Sequence, residues 1–376
     1  MRIAFYAPLK PPDHPVPSGD RTVARLLMAA LKQGGAAVEI ASRMRARLAD
    51  PTESAQQAMA KKGEVTAKRL IAAYRARRKR ERPQAWFSYH LYYKAVDWIG
   101  PNVAEALDIP YVLAEASHAP KRAEGIHAFS HAKAEAAIRR ADAIFCINPV
   151  DRECLAPLVG NRRLIDLAPF LDLARFTRGL PERATMRARL ARDYGIDPDE
   201  PWLLAVGMMR KGDKLASYRL LAEALHHLDR PWQLLVVGDG EARADVERAM
   251  KPIAGGVFLL GALPREKLPG IAVASDLYVW PAVNEAFGMA LLEAQACGLP
   301  AVAGAWGGVP AIIRDGRTGW LSAPGDAAAF AADVDFALDA NLLAIGRAAR
   351  ENALGRHDIA SAAETLSKAL ARIVGR

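Results

Sequence analysis

Apolar positions along this chain fall into short runs, separated by longer stretches where they recur at helical spacing. Residues 2–8, "RIAFYAP", read as a buried strand that stops at Pro8. A helix follows, opened by Gly19 and ended by Gly34 and Gly35, and "AAVEIAS" is the next strand. That is one strand–helix–strand unit with a glycine loop after its first strand. A basic helix then runs to near Pro83, "PQAWFSYH" leads into a strand, "NVAEALDIP" follows, and "YVLAEA" is another strand. Residues 130–148 give a helix and a further strand. Such alternation predicts a parallel, doubly wound sheet. Residues 179–200 are charged and proline-bearing and read as a linker. A second alternating series follows through "WLLAVGMM", "WQLLVVGDG", "VFLLGAL", "LYVWPAV", "LPAVAGA" and "GWLSA". The last segment is an amphipathic helix with no strand after it. The pattern therefore predicts an α/β protein of two tandem doubly wound domains, 1–178 and 201–356, with a terminal helix at 357–376.

Composition agrees with this division. The chain has 376 residues, 51% of them hydrophobic, which suits two domains of ordinary size. A 25% charged fraction excludes a disordered chain. Cys146, Cys154 and Cys297 have no metal-type spacing and read as buried thiols of a reducing compartment. The start of the chain does not resemble a signal peptide, and no apolar run approaches the roughly 20 residues of a membrane helix. A cytoplasmic protein, soluble or peripheral at the inner membrane face, is expected.

Charge adds one feature. Of the 51 basic residues, ten lie in segment 61–82 against two acids, and the whole chain is +9. Interleaved with Leu70, Ile71 and Tyr74, these cations would suit an anionic membrane surface; nucleic acid or plain solvent are the other partners such a run can have.

Candidate chemistry concentrates in "NEAFGMALLEAQACGLP", residues 284–300. Glu285 stands at the end of an expected strand and Phe287 starts the expected helix. Backbone N–H groups of Ala286, Phe287, Gly288 and Met289 would then face an anion at the helix N-terminus. Glu293 lies eight positions beyond Glu285, roughly 80° past two full turns, so the two acids would hold different parts of one elongated ligand. Carboxylates suit hydroxyl pairs, since they accept from both. A glutamate beside a helix N-terminus can simply favour the dipole, but Glu293 sits among apolar residues and needs a partner.

Over residues 281–321 the chain resembles the retaining glycosyltransferases of the GT-B fold, glycosyltransferase family 4 (group 1). Their Glu-x7-Glu mark is filled by Glu285 and Glu293, and their later glycines by Gly307, Gly308, Gly316 and Gly319; Ala311 departs from the glutamate many members carry. "VVGDGEAR", with Gly238, resembles the family's turn before the nucleotide, and "LAPFLDLARF", with Asp172 and Phe176, its interdomain segment. The resemblance implies two Rossmann-like domains facing across a cleft, the second binding a nucleoside-diphosphate sugar. It implies a hexosyltransferase that needs no cofactor and no metal. Glu285 would hold the sugar, Glu293 the ribose, and Arg210 and Lys214, after the glycine Gly207 and with Lys211 as an alternate, the diphosphate. The departing dianion gives two cations a physical reason. Gly19 matches the family's first glycine loop. Asp20, Arg21, His90, Glu115 and His118 are the acceptor-side candidates of the first domain, with Glu115 and His118 also counted as catalytic candidates. His14, His127, His131, His226, His227 and His357 read as loop or surface positions. The acceptor would be a saccharide or lipid-linked sugar of surface polysaccharide or glycolipid synthesis, with nucleic acid not expected as a partner. The alternatives are a nucleotide-sugar epimerase of the same fold and a basic nucleic-acid-binding protein.

Overall fold

A computed structural model describes residues 1–16, 18–177 and 179–375. Arg178, where the first domain was expected to end, and Arg376 lie outside them. The chain divides into two compact units, Met1–Ala168 with Ile359–Arg376, and Pro169–Asp358.

In the first unit the strands are β1 Arg2–Tyr6, β2 Ala37–Ser42, β3 Ala85–Leu91, β4 Tyr111–Ala116, β5 Ala143–Cys146 and β6 Leu164–Asp166. The helices between them are α1 Gly19–Gln33, α2 Glu53–Ala76, α3 Gly100–Leu107, α4 Ala128–Arg140 and α5 Pro149–Val159. All strands pair in parallel, in the order β2-β1-β3-β4-β5-β6. The central strands are mostly apolar and buried because helices cover both faces. Ser18 caps α1 by accepting the Arg21 N–H at 3.2 Å, and Asn148 caps α5 by accepting that of Val150 at 2.9 Å. Buried Asp97 accepts from Ser88, from Trp86 and Tyr111 at 3.1 Å each, and from the Gly100 N–H at 2.7 Å. It thereby ties α3 to the sheet as a satisfied polar anchor.

The second unit opens with α6 Arg183–Tyr194 and continues through β7 Trp202–Val206, α7 Asp213–His226, β8 Gln233–Val237, α8 Arg243–Met250, β9 Val257–Gly261 and α9 Leu268–Ala274. After these come β10 Leu277–Trp280, α10 Met289–Ala296, β11 Ala301–Gly304, α11 Val309–Ile312, β12 Gly319–Ser322, α12 Ala327–Asp339 and α13 Leu342–Arg356. Its six parallel strands run β12-β11-β10-β7-β8-β9. Helix α14, Ile359–Val374, returns to the first unit and packs on α1 through Ala362, Ala363 and Leu366.

Four expectations change. Segment 179–200 is not a linker: Arg183 and Arg187 of α6 both pair with Asp276, at 2.5 and 2.9 Å, and Arg187 lies over the Trp202 ring, so the charges serve packing within the second unit. The chain divides after Ala168 instead. Along α2, Tyr74 is buried and Leu70 and Ile71 pack against the first unit's core, so they are not a lipid-facing stripe. Arg77 of the same segment pairs with Glu39 at 2.8 Å. Among the thiols Cys154 is exposed, while burial pushes Cys146 and Cys297 up to about 12. His131 and His357, expected at loop or surface positions, are buried at 4% and 0% exposure. Among the described residues no helix is long and apolar enough to cross a membrane.

Candidate functional site

Strand order alone marks two places. In an open parallel sheet the strands run outward from a central pair, and a crevice forms at their carboxyl ends where the order reverses. In the second unit that reversal lies between β7 and β10, and in the first between β1 and β3. Each point carries a charged pair.

At the second unit's switch point, Lys214 in the first turn of α7 pairs with Glu285 on the loop after β10. The Lys214 ammonium also lies 5.3 Å from the centre of the Trp280 ring. The loop is pinned to α7 twice more. Ser217 accepts the Val283 N–H, and the Asn284 amide donates to Asp213, both at 3.0 Å. Ala282 and Asn284 hold φ of 56° and 50°, a left-handed conformation rare outside glycine and concentrated at functional sites. The expected glycines explain how close the chains come. A Cβ on Gly308 would lie 2.3 Å from the Ala286 carbonyl oxygen, and one on Gly307 would lie 2.2 Å from that of Glu285. The turn before α11 thus presses directly on the loop carrying Glu285. A Cβ on Gly238 would lie 1.8 Å from the Gly207 carbonyl oxygen, so these two glycines let the ends of β7 and β8 meet.

The helix begins at Met289, two residues later than expected, with Gly288 left-handed before it and Phe287 buried. The Gly288 N–H is turned toward Glu285 Oε1 at 3.4 Å, so this amide faces the carboxylate. Glu293 is buried and pairs with Arg265, whose side chain is 51% exposed. Burial raises the Glu293 carboxyl above its ordinary range, with Arg265 opposing. Arg265 was not foreseen: it stands in the charged turn "PREK" between β9 and α9, where only the need of Glu293 for a cation points to it. Arg210 is an exposed residue in the turn before α7.

At the first unit's switch point, Asp20 in the first turn of α1 meets His90 near the end of β3, Oδ1 to Nδ1 at 2.9 Å. Gly19 stands beside them, opening α1. His90 and Glu115 are both left-handed, with φ of 61° and 56°, although they lie inside strands β3 and β4. Burial would lower the His90 pKa, but Glu115 and Asp20 outweigh it and raise it. Burial raises Glu115, helped by Asp151 and Asp20 and opposed by His90, and one of its oxygens, Oε2, has no partner. Asp20 is held low because His90 outweighs its burial. Asp151, in the first turn of α5, is the member of this group that was not foreseen. Arg21, next to Asp20, has a buried Nε without a partner. His118 is not part of the group: it turns to Glu135 of α4 at 3.2 Å. None of these residues lines the cavity of about 220 Å³ bordered by Arg47, Tyr93, Lys94 and His127.

Part of the second unit matches known proteins. Residues 200–340 match the family model described as "Glycosyl transferases group 1". A D-inositol 3-phosphate glycosyltransferase of Xylanimonas cellulosilytica is 31% identical over 195 residues, covering 50% of this chain and 46% of the relative. One of Geodermatophilus obscurus is 37% identical over 185 residues, 46% of this chain and 40% of the relative. The chain spans less than half the length of these relatives. Two solved structures share the fold over nearly the whole chain. Sucrose-phosphate synthase of Thermosynechococcus elongatus has a TM-score of 0.71 at 20% identity, covering 100% of this chain and 99% of that one. Anabaena HepE in complex with UDP has a TM-score of 0.74 at 14% identity, covering 99% and 100%. The fold is therefore GT-B.

Proposed function

We propose that this chain transfers a sugar from a nucleoside-diphosphate donor to an acceptor hydroxyl, a reading supported by the match of residues 200–340 to the glycosyl transferases group 1 model. The observation that carries the reading is the Lys214–Glu285 pair at the second unit's switch point, with buried Glu293 further along the same segment. A diphosphate arriving at this crevice offers Lys214 a second anion and brings exposed Arg210 a partner. The Glu285 carboxylate is then released to accept from sugar hydroxyls, and Glu293 from a ribose. The two cations stabilise the charge that develops on the departing diphosphate. We assign no cofactor and no metal to this step, because the cations and the loop amides supply the positive field. HepE has also been solved with UDP-glucose, which makes a uridine diphosphate hexose the first donor to try.

The acceptor is assigned to the first unit's group of Asp20, His90, Glu115 and Asp151, which offers several hydrogen-bonding positions to a polyhydroxy molecule. Transfer with retention of configuration is the stereochemistry we propose, with an oxygen of the leaving diphosphate taking the acceptor proton. A saccharide or lipid-linked acceptor is the class we favour. The exposed cations of α2, such as Lys61, Lys68 and Arg69, would bring the enzyme to an anionic surface bearing it.

The test is incubation with anomerically pure donor and a panel of saccharide acceptors, read by NMR of the product. The reading predicts a glycoside with the donor's anomeric configuration. Inverted product, or donor consumed to an epimer without any acceptor, would refute it.

A further inference from the structure

Outside both switch points, the loop after β4 and helix α4 bring together three side chains that the transfer reaction does not use. His131 and Glu135 lie one turn apart on the same face of α4, and His118 approaches them from the loop. One ligand atom from each falls within 4.8 Å of the others. His118 Nε2 and Glu135 Oε2 are already 3.2 Å apart. Ligands about 2.0–2.2 Å from a tetrahedral ion stand about 3.4 Å from one another, so small side-chain rotations close the set.

The surroundings point the same way. The His131 side chain belongs to a residue only 4% exposed, and its Nε2 is buried without any hydrogen-bond partner. An orphaned ring nitrogen costs stability unless something occupies it. The Ala119 backbone lies beside the same ring. Arg139 donates to Glu135 Oε1 at 2.8 Å, which fixes the carboxylate with Oε2 toward His118. These are the outer contacts that orient metal ligands.

We propose that His118, His131 and Glu135 form a binding site for a divalent ion of zinc's class, which clamps the loop after β4 onto α4. Two imidazoles and one carboxylate favour such an ion over magnesium or calcium, which take oxygen sets. The fourth position falls to water. The loop it would clamp follows directly on Glu115 at the end of β4, so the ion would stiffen one wall of the first unit's charged group.

The experiment uses the full chain, stripped of metal, in a Cys154→Ser background that removes the exposed thiol. Co²⁺ and Zn²⁺ are titrated alone. The proposal expects one Co²⁺ with the intense visible absorption of a tetrahedral site and no thiolate-to-cobalt charge transfer. Zn²⁺ should displace it and raise the melting temperature. His131→Gln should lower affinity at least about 10-fold. Because His131 is buried, Glu135→Gln, at a partly exposed helix position, is the second variant and should show the same loss with unchanged circular dichroism. Absence of tetrahedral absorption, or equal affinity in Glu135→Gln and the parent, would overturn the proposal.

Discussion

Replacing Glu293 with glutamine separates stability from ligand binding more cleanly than any other change at the proposed donor site. The carboxyl is 7% exposed, and burial already pushes it toward its neutral form. Arg265 is half in water, so its pairing with Glu293 is screened and contributes about 0–1 kcal/mol. Removing the charge therefore removes a desolvated carboxylate and leaves Arg265 to solvent. The net change in folding stability should stay within about 1 kcal/mol. Binding is different. If the carboxylate accepts ribose hydroxyls, each charge-assisted hydrogen bond lost is worth about 1.5–3 kcal/mol. That is a rise in Kd of about 10- to 150-fold. Isothermal titration with the nucleotide that wild type prefers measures it, and calorimetric melting measures stability alongside. An unchanged Kd in a folded Glu293→Gln protein would refute the ribose assignment.

Three further outcomes follow from the geometry. Lys214→Met removes one of the two cations assigned to the leaving group, so kcat/KM should fall about 10²- to 10³-fold with little change in melting temperature; a wild-type rate would remove Lys214 from the mechanism. Glu115 has a raised folded pKa, so its neutral form is favoured: stability is full below the unfolded value, falls as pH rises toward the folded pKa by up to about 1.4 kcal/mol per pH unit, and stays reduced above it. Glu115→Gln should therefore melt higher than wild type at pH 8 and equally at pH 4, and identical pH profiles would contradict the burial argument. Gly308→Ala drives a Cβ to 2.3 Å from the Ala286 carbonyl, which displaces the Glu285 loop, so it should cost about 1–3 kcal/mol and weaken donor binding; a neutral substitution would show that the loop is free to move.

Much of the architecture was legible because strands buried on both faces read as short apolar runs and helices keep their own period. What one sequence does not carry is strand order. Runs such as residues 2–6 and 85–91 do not announce that they pair, so the meeting of Asp20 with His90 was not visible, although both residues were singled out. The segment proposed to bind the donor is legible as a motif, since glycines and acids recur there at fixed spacing. Its counter-ion Arg265 was not, since a lone arginine in a polar turn looks like any solvated cation. The packing face of α2 is itself legible in the sequence. Gly63, Ala67, Leu70 and Tyr74 recur at helical spacing on one face, and a Cβ on Gly63 would lie 2.3 Å from that of Trp98. Charge count hid an ordinary packing stripe. Likewise, the arginines of 183–194 looked like a linker because their partner, Asp276, lies far along the chain.

The central claim is that the second unit's switch point is a nucleotide-sugar site. A thermal-shift screen of the wild-type chain with UDP-, GDP- and ADP-sugars, repeated on Glu285→Gln, tests it most directly. The account predicts that one nucleotide series raises the melting temperature of the wild type and that the sugar-dependent part of the rise is lost in the variant. No shift with any nucleotide sugar, or shifts identical in both proteins, would contradict it.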